Sequence, residues 1–543
     1  MRIISASSST AHWLTTLRLA ISISLFAGLA ACGGGGSDSL ATPTDTSSLA
    51  PVTGTTAPLT YTAASVAQQC AVPRTGTGIT DKQGTIDTEK SWVRAHMDET
   101  YLWYKDIPSV DATSTTFTLA GNGNSVIKTV GTYFNALLTP QRTASDKRVD
   151  QFSFTTSTAD RDNVQAGISS GYGIRFAFIN RTPPRLLRVL YVEANSPAEI
   201  AGVQRGDTVI SVDGVSIDAA TNNETAILNA GINPTTAVKT TTFGLQAANA
   251  SAPRDVTVTS SATVEVTPVA ITKTIKDGTS TVGYLALNSF SVVTAEKQLI
   301  AAVNNFKAAK VDELVLDLRY NGGGFLALSN QLSWMIGDAS LSGKTYEKNI
   351  CNDKNPFNLC NKNDPFKQKT VGFTPDVVVD NPLPQLGLKR VFVLTSASTC
   401  SASESLINGL SPFLEVIRIG STTCGKPYGF FIKDNCGTSY AAIQFRGINA
   451  NGFGDFADGF KPTCTVADDL SKQRGDKTES MLAGALAYMQ TGSCPAPGVG
   501  TNAGAGEGAR AQKLNVLDNG NYKMMRSPME EIRIMGLPSS VPQ

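Results

Sequence analysis

Two side chains, Ser401 and Lys426, have the types and positions that suit hydrolytic chemistry. Each lies at the end of an apolar run. Val391-Phe392-Val393-Leu394-Thr395 reads as a buried strand, and the small-residue stretch from Cys400 to Ile407 reads as a turn entering a helix. A serine there has its hydroxyl beside unpaired backbone N–H groups, which suits a nucleophile. The second run, Leu414 to Gly420, leads into Thr423-Cys424-Gly425-Lys426. The chain has 2 histidines, and His12 falls in a segment expected to be removed, so His96 alone is left to compete as a base. A Ser–Lys dyad is the economical reading.

The demand on Lys426 can be sized. A free lysine has a pKa of about 10.4 and a working base wants roughly 7 to 8. That difference is about 4 kcal/mol of disfavoured charge, within what burial alone supplies. Tyr428, Phe430 and Phe431 would line the apolar pocket this needs. Three other groups compete for roles. His96 lies beside the apolar face of a helix and reads as a packing or capping residue. Cys400 has no histidine nearby in sequence to ionise it. Ser403 stands two places from Ser401 in the same turn.

A third segment bears on the reaction. After Asp317-Leu318-Arg319 comes Tyr320-Asn321-Gly322-Gly323-Gly324-Phe325. Glycines straight off a strand let backbone N–H groups converge without Cβ obstruction, as an oxyanion site requires. A phosphate loop would need a Lys-Ser/Thr pair downstream, which is missing.

The elements that position these residues follow from pattern. Gly283 to Leu287 reads as a strand, Thr294 as the N-cap of a helix burying Leu299, Val303 and Phe306, and Glu313 to Leu318 as the next strand. That βαβ unit predicts an α/β, or mixed α+β, core with a partly parallel sheet over 271–494. Upstream, Val93, Met97, Tyr101 and Tyr104 fall at helical spacing within 81–160, with Pro108 as the stop.

Over 165–270 the pattern changes to short strands with glycine turns: Gly171-Tyr172-Gly173-Ile174, Leu187 to Val192, Ser196-Pro197-Ala198, Arg205-Gly206-Asp207 and Val212-Asp213-Gly214. These elements, in this order, resemble a PDZ domain. The resemblance implies that the Gly171–Ile174 loop offers N–H groups to a peptide carboxylate while the peptide adds as an edge strand.

At the N-terminus, Arg2 and Arg18 precede a short apolar stretch from Leu19 to Ala31. About 13 residues cannot cross about 30 Å of hydrocarbon, so 1–32 reads as an export signal. Its end, Leu29-Ala30-Ala31-Cys32, resembles the bacterial lipobox. That implies lipidation of Cys32 and an envelope location on the periplasmic side, with Gly33 favouring the outer membrane. Residues 33–80 are rich in Ser, Thr, Ala, Pro and Gly and read as a flexible stalk. Residues 495–543 read as a Gly/Ala-rich linker and a short mixed end with no assignable role.

Setting Cys32 aside leaves Cys70, Cys351, Cys360, Cys400, Cys424, Cys436, Cys464 and Cys494. An even count in an exported chain points to disulfides. Cys351 and Cys360 bracket a polar loop and form the firmest pair. Cys400 with Cys424, Cys436 with Cys464, and Cys70 with Cys494 complete one scheme. The net charge is +1 and 17% of residues are charged, without a basic block, which excludes a concentrated nucleic-acid face. A length of 543 residues predicts more than one domain.

Taken together, Asp317 to Gly324, Ser401-Ala402-Ser403-Glu404, Gly425-Lys426 and the preceding PDZ-like segment resemble the carboxyl-terminal processing, or tail-specific, serine peptidases. The resemblance implies Ser401 as nucleophile, Lys426 as general base, and an oxyanion hole from Ala402 and Gly323 or Gly324. It implies polypeptide substrates with free or unstructured C-termini, and no metal or nucleotide cofactor. The chain departs from the family at Phe430, where a glutamine usually orients the lysine, and at Pro427, usually glycine. Gln444 is the alternative orienting group. A non-catalytic peptide-binding lipoprotein on the same scaffold is the rival reading.

Overall fold

The computed structural model describes residues 59–143, 146–234, 238–248, 250–358, 360–495, 524–525, 528 and 533–535. The export signal, Cys32 and the first part of the expected stalk lie outside the described residues. The centre is a six-stranded sheet in the order Val269–Asp277, Ser280–Leu287, Glu313–Asp317, Arg390–Thr395, Glu415–Gly420 and Cys464–Thr465. The first two strands are an antiparallel hairpin and every later pair is parallel. The expected α/β core with a partly parallel sheet is therefore present.

Alternation along the strands sorts side chains onto two faces. Leu314, Leu316, Val391 and Val393 join a core with Leu299, Val303 and Phe306 of helix Ala295–Ala308 and Leu406 of helix Ala402–Leu410. Val315, Phe392, Leu394 and Ile417 face the other way, onto Met481, Leu482 and Ala485 of helix Ser480–Thr491. Thr294 occupies the N-cap position of Ala295–Ala308 but lies in helical conformation, φ −70° and ψ −8°, and makes no side-chain cap bond. The capping role expected of it is not filled.

The N-terminal helix runs Ile86–Thr100, started by a reciprocal Thr85–Thr88 capping box. It ends earlier than its apolar spacing predicts. Tyr101 turns extended while its N–H still reaches Met97 O, and Tyr104 opens a separate 3-10 turn. Tyr101 instead anchors through its hydroxyl, which donates to Asp150 at 2.7 Å. Trp92, Val93, Met97 and Phe134 share the core with the sheet helices.

Residues 59–80, expected to continue the stalk, are folded onto the core. The strand Gln69–Cys70 pairs with Lys82–Gln83, Cys70 is bonded to Cys436, and the N–H groups of Ala63 and Ala71 donate to Glu99 and Glu89 at 2.8 Å. Low overall hydrophobicity misled here because a covalent tie and carboxylate acceptors add to the few apolar side chains, Leu59, Tyr61, Ala63 and Val66, that reach the core.

Disulfides join Cys351 to Cys360 and Cys400 to Cys424, as expected. The remaining pairs are Cys70–Cys436 and Cys464–Cys494. The other expected scheme fails because Cys464 is on the sheet-edge strand beside Glu415–Gly420. Cys436 lies instead in the turn after Lys433–Asn435, where Asn435 accepts from Gln68 N.

The smaller sheet has strands Ile174–Asn180, Leu186–Val192, Thr208–Val212, Thr240–Gln246 and Arg254–Thr259 in one antiparallel path. With helix Asn222–Ile232 it closes its own core around Phe176, Leu187, Val189, Leu228 and Phe243.

Candidate active site

Strand Arg390–Thr395 delivers the chain into a tight turn at the sheet's C-terminal edge. Thr399 Oγ1 donates to Leu318 O at 2.8 Å and Cys400 N to Asn321 O at 3.0 Å, so the turn is fastened to the glycine loop. Ser403 Oγ also donates to Asn321 O, at 3.1 Å, which fixes Ser403 as a structural hydroxyl.

Ser401 sits at φ 63° and ψ −112°, immediately before helix Ala402–Leu410. A positive φ is strained for serine and is held only where the surroundings impose it. Its Oγ is buried and, among the described residues, has no hydrogen-bond partner. A strained, unpartnered hydroxyl at a helix N-terminus is in the state a nucleophile requires.

What imposes the turn is Glu404, to which the sequence reading gave no role. Its Oε2 accepts from Ser401 N at 2.9 Å and from Lys426 N at 2.8 Å. Its Oε1 accepts from Gly425 N at 2.8 Å and Thr423 Oγ1 at 2.5 Å. Burial pushes the Glu404 carboxyl above its ordinary value, and these donors pull it back. The spacing Ser-x-x-Glu before an apolar helix, a capping-box signature, was the available signal.

The Cys400–Cys424 disulfide ties the same two loops covalently. Gly425, at φ 84°, lets the chain pass Ala457, whose O would lie 2.2 Å from an added Cβ. Lys426 is 1% exposed. Its Nζ lies over the rings of Phe152 and Phe430, 4.8 and 5.0 Å from their centroids. Phe430 therefore contributes a wall to the lysine pocket. Gln444 does not take the orienting role: its carboxamide bonds Phe431 N, Phe431 O and Thr100 Oγ1 at 3.3 to 3.4 Å.

The glycine loop is used unequally. Gly323 N donates to Asn321 Oδ1 at 2.9 Å, which closes the turn and engages one of the N–H groups expected at the oxyanion site. Gly324 is held by close packing. It has φ 138°, and an added Cβ would sit 2.0 Å from Phe290 C, so only glycine fits. Beneath the loop, fully buried Arg319 bridges Asp317 at 2.9 Å, Asp468 at 2.7 Å and both oxygens of Glu479 at 2.9 Å. Arg205, from the turn before strand Thr208–Val212, reaches Asp468 at 2.6 Å and Tyr320 in the same network.

His96 is remote from this chemistry in character. Its ring stacks on Trp92, with centroids 4.8 Å apart. Burial, then nearby Lys433, pushes its pKa down to about 3. Such a ring is neutral and inaccessible, as a packing residue should be.

The Gly171–Ile174 loop lines a cavity of about 380 Å3, with Ile232, Tyr320, Met524 and Met525 among its other walls. Gly171 and Gly173 have φ of 121° and 81°. The cavity lies alongside strand Ile174–Asn180, the edge of the smaller sheet.

Comparison with known proteins agrees with this anatomy. Residues 281–434 match peptidase family S41, residues 188–227 a PDZ domain, and residues 88–154 the peptidase S41 N-terminal domain. A carboxyl-terminal-processing protease of Picosynechococcus sp. is 28% identical over 262 residues, covering 48% of this chain and 55% of the relative. Carboxyl-terminal-processing peptidase 1, chloroplastic, of Arabidopsis thaliana is 26% identical over 241 residues, 44% of each chain. This chain thus spans about half the length of the curated relatives it matches. A crystal structure assigned to the S41 proteases, from Bacteroides fragilis, aligns with TM-score 0.56 and 25% identity over 74% of this chain and 97% of that one.

Proposed function

As a member of peptidase family S41 with a PDZ domain, this chain is, we propose, a serine endopeptidase that cleaves unstructured or C-terminal polypeptide segments with a Ser401–Lys426 dyad. Ser401 Oγ attacks the scissile carbonyl while its proton passes to Lys426 Nζ. The oxyanion is received by the N–H groups of Gly324 and Ala402. Lys426 then returns the proton to the leaving amine, and a water hydrolyses the ester at Ser401 by the reverse route.

The observation that carries this reading is the pair of loops pinned to one carboxylate. Glu404 holds the backbone nitrogens of Ser401 and Lys426 within about 6 Å of each other, given ordinary hydrogen-bond lengths. Lys426 is buried, with its Nζ over the ring faces of Phe152 and Phe430. The amine must be neutral when it accepts the serine proton.

In the same reading the PDZ domain receives a substrate C-terminus as a strand added to Ile174–Asn180. Cys32 carries the lipid that holds the chain in the bacterial envelope, on the periplasmic side and at the outer membrane, supported by Leu29-Ala30-Ala31-Cys32. Metabolic labelling with a fatty-acid probe, lost in Cys32→Ala, tests the anchor.

One observation favours a second reading, a peptide-binding protein without turnover: Phe430 stands beside the lysine and Gln444 is engaged elsewhere. Peptide cleavage by the wild type, Ser401→Ala and Lys426→Ala separates the two. Turnover lost in both variants supports the dyad. Equal rates in all three reject it, and loss in His96→Ala but not Lys426→Ala would move the base to His96.

A further inference from the structure

The cleft that the proposed function assigns to substrate already holds a piece of the protein. Met524 forms an antiparallel bridge with Ala177 on the edge strand of the PDZ sheet, and Met525 N donates to Phe176 O at 2.9 Å. This is how a peptide adds to a sheet edge. Met524 N also donates to Ser398 Oγ at 3.1 Å, in the turn that leads to Ser401. The Met524 side chain is 5% exposed and packs with Ala177, Leu190, Tyr191, Tyr320 and Leu470.

Nine residues of sequence further on, the chain is bound again. Arg533–Ile534 pairs in parallel with Gly324–Phe325, the glycine proposed for the oxyanion hole and its neighbour. Ile534 also forms a parallel bridge with Phe430, and Met535 N donates to Phe430 O at 3.1 Å. Ile534 is 4% exposed and belongs to the main core. Phe430 is the ring beneath Lys426 Nζ. The two bound stretches therefore flank the dyad, one on the PDZ edge and the serine turn, the other on the oxyanion strand and the lysine wall.

We propose that Met524–Met525 and Arg533–Met535 are internal occupants of the polypeptide path, competing with substrate until a polypeptide displaces them. The inference rests on the reading of the cleft as a peptidase site. Main-chain pairing at both ends makes the occupancy tolerant of sequence, while Met524 and Ile534 mark where an incoming chain places large apolar side chains. Being on the same chain, the segment acts at an effective concentration on the order of mM, so modest intrinsic affinity keeps the path filled. A substrate gains by bringing its own strand to both edges.

The test compares the full chain with one ending at Asp518, and with Met524→Asp and Ile534→Asp, which loosen the segment without shortening it. Release is expected to raise kcat/KM for an unstructured peptide about tenfold or more, chiefly by lowering KM. A synthetic peptide of residues 519–543 should inhibit the shortened enzyme again. In the Ser401→Ala background, where no chemistry is needed, a fluorescent 519–543 peptide should bind the shortened chain saturably and the full chain about tenfold more weakly. Equal binding to both, or none to a shortened chain or point variant whose melting remains cooperative, overturns the proposal. Absence of turnover in every active-site-intact form, with the binding difference kept, would defeat the peptidase reading and leave the internal occupant standing.

Discussion

The backbone amides of Ser401 and Lys426 donate to the same atom, Oε2 of Glu404, at 2.9 and 2.8 Å. One buried carboxylate thus sets the spacing between the turn bearing the hydroxyl and the loop bearing the amine. A disulfide, Cys400–Cys424, braces the same two loops one residue earlier and two residues earlier respectively. The charge of Glu404 is directed at N–H and hydroxyl donors, not at the ammonium.

Glu404→Gln is expected to keep the fold and lose turnover. The amide retains one acceptor oxygen, but its NH2 points donors at donors, so either the Ser401 or the Lys426 loop is released. Misplacement of about 1 Å at a reacting group costs on the order of 100-fold in rate. The loss should fall on kcat with KM nearly constant, since no substrate contact is removed. Steady-state kinetics on one peptide decide it, and a pure KM effect would contradict the positioning role.

Two glycines with positive φ should respond very differently to alanine. Gly171→Ala meets no atom within 4 Å and carries only the backbone penalty, about 1–2 kcal/mol. Gly324→Ala adds the same penalty and drives a Cβ to 2.0 Å from Phe290 C. It is expected to cost at least about 3 kcal/mol and to abolish activity. Thermal melts and cleavage rates on the two variants check the contrast.

Much of this site was legible because its chemistry is local in sequence. Ser401 and Lys426 each end an apolar run, and the glycines follow a strand, so each segment could be singled out locally, and the resemblance to the tail-specific peptidases grouped the three. The roles that escaped are those decided by distant partners. Cys436 is expected to pair with Cys464, yet its partner is Cys70, from a segment whose composition suggested a stalk. Asp317 and Arg319 read as a motif, while their partners Glu479 and Asp468 lie beyond every motif in the chain. The bridge at Met524 and the two-residue strand Arg533–Ile534 are too short for any periodicity to register, and only the edges they pair with define them.

Arg319→Leu should be among the most damaging substitutions outside the dyad. It leaves Asp317, Asp468 and Glu479 facing one another with their shared cation gone. Removing one member of a buried ionic cluster costs roughly 3–5 kcal/mol, whatever the cluster's net contribution. A lower urea midpoint with an unchanged slope is expected; a loss under about 1 kcal/mol would mean the carboxylates find water or protons.

Helix Ile86–Thr100 carries two buried titrating groups with opposite effects on stability. His96 has its pKa pushed from 6.5 to about 3 by burial and, next, by Lys433. Below pH 6.5 the unfolded chain takes a proton that the folded one refuses, so this contribution is complete above pH 6.5. It falls as the pH drops toward 3, by up to roughly 4–5 kcal/mol. Burial raises Glu89 from 4.5 to about 7, against the pull of the Ala71 N–H. Between those values the folded chain keeps a proton the unfolded one has lost, so stability declines as pH rises, by up to roughly 3 kcal/mol. The two slopes oppose each other between pH 4.5 and 6.5. In that window His96→Gln should make stability fall with rising pH, and Glu89→Gln should make it rise more steeply than in the wild type. Urea midpoints at several pH values across the window measure both slopes, and identical profiles for the three proteins would show that neither group titrates as its burial requires.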